Sequence, residues 1–386
     1  VYSGQRHLSI SGFEVLFYTE RTQECKKKCS QRYRYNESKR KLLRIFTKIQ
    51  YIVLVIAERM VDIYMKLLLA KLFVFIALVS LVYLGLLLLL ATRYPGYIQS
   101  YSCVVTDHRG SAIFGSSRSL TGIEPAVLNK TLGAYLPFFN YSGNIYATPY
   151  GPVYHSFIQR KTRDWEFRDN RLFVLNVDPW TVSCEKKKDA ANFFNERHSF
   201  YHRLRDVKSG FNAEFLIFYA DRPLKSILTE LIFRSSGGIN EGGRFVYPIS
   251  REECVQGFTK RFALAQQRHR NHRYYINGQL SKIRLLYLHR TLQYLSGIGR
   301  VILVRMPLTR EMLAMENEMD ALFSLRMKAL SAAEGVAFID YSREQDTYLF
   351  VDDNHLYNTS AEAFTAKLAK DVRNYLKAQD VNTLNK

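Results

Sequence analysis

Residues 72–91 contain no charged side chain and consist mainly of Leu, Val, Ile and Phe. About 20 such residues, rising ~1.5 Å each, cross the hydrocarbon core of a bilayer as one helix. No polar face interrupts the run over about five turns, so a buried helix of a soluble domain describes it poorly. The sequence predicts a transmembrane signal anchor over residues 65–95. Met65, Lys66 and Lys71 flank it on one side, and Thr92, Arg93, Tyr94 and Pro95 on the other. A cleaved signal peptide would have a shorter apolar region and an A-x-A-like site, and neither is found. The rest of the chain must therefore lie on one side or the other of this segment.

Charge decides which side. The formal net charge is +20, a value that invites a nucleic-acid reading. The distribution argues otherwise: about 15 of the Lys and Arg precede Leu72, against about 6 acids, which leaves the remainder mildly basic. No zinc-finger spacing, RNP-like motif or Gly-rich phosphate loop accompanies the charge, so no nucleic-acid partner is expected. A cationic excess ahead of the span puts the N-terminal side in the cytoplasm and everything after Arg93 outside it. The expectation is a single-pass protein of the inner (plasma) membrane with a periplasmic or other extracytoplasmic C-terminal domain. Residues 1–64 begin with Val1 and mix Lys-Arg clusters with a short apolar run at 51–57. Met65-Lys66-Leu67-Leu68-Leu69 is the natural start of the anchor. We expect much of 1–64 to be upstream or poorly structured sequence outside the native protein, the alternative being a basic cytoplasmic segment.

Residues 96–386 read as one exported domain in which apolar runs alternate with amphipathic stretches. Runs at 112–114, 134–141, 171–177, 299–306 and 335–341 are expected strands; stretches at about 146–163, 285–295, 309–333 and 360–377 are expected helices. Such alternation implies a parallel sheet covered on both faces, a three-layer α/β/α domain. Residues 183–287 fit the alternation worst and read as an insertion beside the core. His269 and His272 lie in a basic run there without a Cys or carboxylate to complete a metal set, so a solvated basic helix is expected and no metal. Five cysteines are too few for a disulfide framework; among Cys103, Cys184 and Cys254 the pairing of one bridge is left open.

Two stretches carry chemistry. In Phe114-Gly115-Ser116-Ser117-Arg118-Ser119 an apolar run stops at a glycine and two serines, and Leu120, Ile123 and Val127 then recur at helical spacing. That reads as strand, tight turn, helix, with a serine beside free helix N–H groups where an anionic intermediate can be held. Near the other end, Asp352-Asp353-Asn354-His355-Leu356 lies in a polar loop leading into an amphipathic helix. A serine needs a base within hydrogen-bond reach and a third group to orient that base. His355 has an acid three residues before it, so Asp352 can turn back onto the imidazole; Asp353 is the local alternative.

The order, loop placement and separation of these motifs resemble the SGNH (GDSL-like) hydrolase superfamily. Their wording is similar to a membrane-anchored branch that acts in acylation of cell-surface polysaccharides and teichoic acids. The resemblance covers roughly residue 101 onward. It implies Ser117 as nucleophile, with Ser116 in the usual Asp position and Ser119 supporting the turn, and His355 and Asp352 as base and orienting acid. It also implies an oxyanion hole from the Ser117 N–H with donors from the next two loops. Asn140 and Gly143 fall in the first loop; in the second no G-x-N-D motif is present, and Asn176 or Asp178 is the substitute. Arg118 and Asp178 are expected substrate contacts, with an ordinary salt bridge as the alternative for Arg118. No cofactor is implied. The implied activity is a serine esterase or O-acyltransferase moving an acyl group, acetyl above all, on a cell-envelope or secreted glycan. The expected partners are an acylated glycan or surface polymer and a membrane acyltransferase. A non-catalytic glycan-binding or scaffold protein of a polysaccharide modification or export assembly is the alternative.

Overall fold

The computed structural model describes residues 12–93, 105–143, 150–185, 238–255, 266–268, 270–273, 276–344 and 346–384. They fall into two units, Val1–Leu84 and Gly85–Lys386. The first is one helix, α1 (Gly12–Arg93), which runs on into the opening residues of the second. Residues 12–64, expected to be poorly structured, are thus helical. No proline and no glycine stand between Gly12 and Gly85, and the exposed i,i+4 pairs Glu24–Lys28, Glu37–Lys41 and Asp62–Lys66 lie along its surface. The helix is long and apolar enough to cross a membrane, and the described residues hold no other such helix.

The second unit is built on a five-stranded parallel sheet: β1 (Ser111–Phe114), β2 (Phe138–Asn140), β3 (Leu172–Asn176), β8 (Arg300–Arg305) and β9 (Ala337–Asp340). Its order is β2-β1-β3-β8-β9. Every residue of β1, β2 and β3 is buried, which requires cover on both faces and explains why these strands read as continuous apolar runs. On one face Ile113, Val174, Ile302 and Val304 pack with Leu128 of α3 (Pro125–Thr131) and with Leu368, Val372 and Leu376 of α9 (Asn358–Leu384). The alternate residues Phe114 and Phe173 stack on each other, on Tyr141 and on Trp165. The helices α4 (Pro152–Thr162) and α6 (Lys282–Ser296) pack together, and α6 lies on β8.

The chain passes from β1 to β2 on one side, then crosses to β3 on the other. Beyond the carboxyl ends of β1 and β3 the topology therefore leaves a crevice, the usual ligand position in such sheets. The short helix α2 (Ser117–Gly122) starts there. The expected insertion has paired ends: β4 (Ser183–Glu185) runs antiparallel to β7 (Gly278–Leu280). Within it are a small hairpin, β5 (Gly238–Ile239) with β6 (Phe245–Val246), and a helical turn, α5 (Arg251–Val255). Residues 186–237, 256–265, 269 and 274–275 of the insertion, His269 among them, lie outside the described residues, as do residues 94–104 with Cys103. Cys184 and Cys254 are both buried. The helix expected over 309–333 is two helices, α7 (Arg310–Asp320) and α8 (Phe323–Ala333). The Asp320 carboxylate takes the Leu322 N–H and pairs with Arg326, ending the first and seating the second.

Candidate active site

The turn after β1 is dictated by Gly115. Its φ of 152° disfavours any side chain, and a Cβ there would stand 2.5 Å from Ser119 Oγ and 2.6 Å from Asn176 Cβ. Tyr154 Oη accepts the Gly115 N–H at 2.9 Å. Ser116 caps α2, its Oγ donating to Asn176 Oδ1 at 2.9 Å and contacting Asp178 Oδ2 at 3.3 Å. Ser119 is buried and donates to Ser116 O, while its Oγ meets Ser142 Oγ at 2.8 Å. Ser117, first residue of the helix, is left at the surface of the crevice, and among the described residues its N–H has no hydrogen-bond partner.

The opposing loop is closed at its base by an antiparallel bridge between Phe350 and Leu356, with the Val351 N–H donating to His355 O at 2.8 Å. Asp352 then forms an Asx turn: Oδ1 accepts the N–H groups of Asn354 and His355, each at 2.8 Å. The same carboxylate meets His355 Nδ1, 2.8 Å from Oδ2 and 3.0 Å from Oδ1. The other ring nitrogen, Nε2, lies 2.9 Å from Ser117 Oγ. A carboxylate only accepts, so Nδ1 carries the proton in the neutral ring and Nε2 is free to accept from the Ser117 hydroxyl. The side chains of Asp352 and His355 are each 18 % exposed, and Ser117 is half-buried. Burial works against the Asp352 charge. The neighbouring imidazole, the Asn354 N–H and the Gln267 amide outweigh it and hold the carboxyl well below its ordinary range. Asp353 is turned away: it is buried and takes a bidentate pair from Arg268, at 2.6 and 2.8 Å.

The other expected site residues lie close by but are otherwise engaged. Asn140 is fully buried; its backbone N–H donates to Gly242 O and its side-chain amide to Ser119 O and Ile123 O, at 2.9 and 3.2 Å. The Gly143 N–H donates to Gly115 O at 3.0 Å. Asn176 accepts from Ser116 and points its amide at Val304 O, 3.5 Å away. These amides hold the ends of β1, β2 and β3 together, because a buried amide at a strand end needs a partner and finds backbone carbonyls first. Arg118 and Asp178 are engaged in the same way, Arg118 in the salt bridges that were its alternative reading. Arg118 is 4 % and Asp178 1 % exposed. Arg118 Nη1 donates to Glu316 Oε1 at 2.6 Å and lies 3.6 Å from Asp178; Nη2 donates to Asn354 Oδ1 at 2.7 Å. Glu316 gives its second oxygen to Arg305 at 2.6 Å. A buried chain of alternating charges thus runs beneath the crevice and ties α2 to the His355 loop. Burial raises the Asp178 pKa, and Arg118 opposes that rise.

One wall comes from the insertion, which sequence reasoning set beside the core. Asn240 donates to both Glu124 oxygens, and Arg244 Nε lies 2.9 Å from Glu124, docking the β5–β6 hairpin on the start of α3. Gly243 makes that approach possible, since its φ is +87° and a Cβ would meet Asn140 O at 2.5 Å. Asn358 clamps the next residues: it accepts the Tyr247 N–H at 3.0 Å and donates to Tyr247 O at 2.9 Å. The Tyr247 ring lies 6.5 Å, centroid to centroid, from the His355 ring. Burial pushes its phenol well above the ordinary value, with Asp352 adding to the rise. The turn Asn240-Glu241-Gly242-Gly243 is the only sequence signal for this wall. His272 pairs with Glu318 at 3.1 Å, and the described residues hold no cluster of three metal-ligating side chains.

No protein-family model matches the chain, and no curated protein matches it in sequence.

Proposed function

We propose that the chain is a membrane-anchored serine esterase or O-acyltransferase of SGNH type, moving an acyl group, acetyl in the simplest case, on a cell-envelope or secreted glycan. The observation that carries this reading is the Ser117–His355–Asp352 geometry, 2.9 Å from Oγ to Nε2 and 2.8 Å from Nδ1 to the carboxylate. In the proposed reaction Ser117 Oγ attacks the ester carbonyl while His355 Nε2 takes its proton. The tetrahedral oxyanion forms beside the free Ser117 N–H. His355 then protonates the departing alcohol, leaving an acyl-serine. Water or a second glycan hydroxyl, deprotonated by His355, attacks that ester and restores the serine. Asp352, held ionised, stabilises the imidazolium in both halves.

The long apolar helix supplies the anchor. With the cationic residues ahead of it, the N-terminal side is cytoplasmic and the catalytic unit extracytoplasmic, at the inner or plasma membrane. There an acylated surface polymer is the substrate and a membrane acyltransferase the partner. One observation favours the rival reading of a non-catalytic glycan-binding protein. Asn140, Gly143 and Asn176 spend their amides internally, and a lost oxyanion donor costs about 10²–10³ in rate. Release of acetate from an acetylated glycan separates the two. Under the enzyme reading Ser117→Ala and His355→Ala each abolish it, and the double variant is little worse than either. Glycan binding that persists while the unaltered protein neither releases acetate nor moves it to a second glycan would establish the rival.

A further inference from the structure

Among the described residues the Asp352 carboxylate has four donors. Three are local: the Asn354 and His355 N–H groups and the His355 ring. The fourth comes from 85 residues away, where Gln267 Nε2 donates to Oδ2 at 3.1 Å. The neighbouring Arg268 reaches the same loop, donating to both oxygens of the buried Asp353 and lying 3.6 Å from Glu311 of α7. A single turn of the insertion, residues 266–268, therefore grips both acids of the His355 loop. The two grips differ in kind. Arg268–Asp353 is a bidentate ion pair facing away from the imidazole, which fixes where the loop lies. Gln267 is neutral and shares Oδ2 with the imidazole, so it affects how that oxygen's charge is divided.

We infer that Gln267 is a positioning residue of the triad. It pins Asp352 Oδ2 in the plane of the His355 ring and withdraws part of the carboxylate charge from the imidazolium, while Arg268 anchors the turn that carries it. This rests on the proposed Ser117–His355–Asp352 chemistry and assigns to the insertion a part in it. A hydrogen bond to an ionised group is about twice as strong as a neutral one, so losing it perturbs the acid without leaving a buried charge unpaired, because three donors remain. Among the described residues the other titratable or charged groups around the pair are Asp353, Arg268 and Glu311, Tyr247 and Cys254 from the insertion, and Arg118 through Asn354. None of these is altered by a change at Gln267.

The test uses the full chain in detergent, with Gln267→Leu, Gln267→Glu and Gln267→Asn. Two readouts are taken: the pH dependence of labelling by a fluorophosphonate, and the titration of the His355 ring by NMR. Loss of the donor leaves more negative charge facing the ring, so the cation is favoured. In Gln267→Leu the His355 titration should move to higher pH, and the acid limb of the labelling profile should move with it. Labelling at neutral pH should fall about 5- to 30-fold with the thermal midpoint unchanged. Gln267→Glu, adding a charge, should move the titration further in the same direction; Gln267→Asn should restore part of the wild-type profile. Uniformly weaker labelling with an unmoved titration would make Gln267 merely structural and overturn the inference. If the unaltered protein does not label at all, the catalytic reading fails. The NMR titration still decides on Gln267: a shifted ring upholds its hold on the pair, and an unshifted one overturns it.

Discussion

Glu316 offers the most demanding test of how the crevice is held together. It is fully buried on α7, and each carboxylate oxygen holds one guanidinium at 2.6 Å, Arg118 on one side and Arg305 on the other. The next acids are farther off, Asp178 at 3.6 Å from Arg118 and Asp340 at 3.8 Å from Arg305. Glu316→Gln keeps the shape but removes the charge and turns an N–H donor toward one of two cations that cannot lose their protons. Breaking a buried pair from one side costs about 3–5 kcal/mol, because the partner charge is left uncompensated. At a urea m-value of about 3 kcal/mol/M, the unfolding midpoint should fall by about 1–1.7 M. The assay is tryptophan fluorescence of the full chain in detergent. Both tryptophans, Trp165 and Trp180, lie beyond the long helix, so the signal comes from the second unit alone. The control is Asp380→Asn, which breaks a pair with Arg300 whose side chains are 31 % and 54 % exposed. Exposed pairs are worth about 0–1 kcal/mol, so this midpoint should move by no more than about 0.3 M. Should Glu316→Gln unfold with Asp380→Asn, the buried charges do not brace the site and the reasoning fails.

Three further outcomes follow from the geometry. Gly115→Ala forces a Cβ onto Ser119 and Asn176 at a disfavoured φ, and should cost at least about 1–3 kcal/mol by the same denaturation assay. Asp352 has a depressed folded pKa, so its contribution to stability is present above its unfolded value, about 3.9, and is lost as pH falls through the folded value. The stability difference between wild type and Asp352→Asn should therefore shrink below about pH 4, as read by denaturation at stepped pH. A reporter active only in the cytoplasm, fused after Lys386, should stay silent; activity would remove both the orientation and the envelope-glycan reading.

The parts of the site that were legible in the sequence are those whose chemistry is local. Asp352 and His355 lie three residues apart in one loop, and Ser117 follows a glycine that ends an apolar run, so each half can be read from its own neighbours. The strands were legible because burial on both faces leaves continuous apolar runs. Long-range partners were not. Asn140, Gly143 and Asn176 look like free donors in the sequence, and only the fold shows which carbonyls claim them. Arg118 reads equally as a substrate contact or a salt-bridge cation until Glu316, 198 residues away, is placed beside it. The break between α7 and α8 has no glycine or proline to announce it, since the Asp320 side chain makes it. Tyr247 and Gln267 belong to a segment without the strand–helix rhythm, and nothing in their neighbourhood points to a loop about a hundred residues later.

The central claim is that Ser117 is a nucleophile activated by His355, and covalent capture tests it most directly. The full chain, solubilised in detergent, is treated with a fluorophosphonate and digested, and the adduct is located by mass spectrometry. A phosphonyl group on the peptide containing Ser117 is expected, absent in Ser117→Ala and strongly reduced in His355→Ala while both variants keep the wild-type unfolding midpoint. No adduct on the folded wild-type protein, or one that persists in Ser117→Ala, would contradict the account.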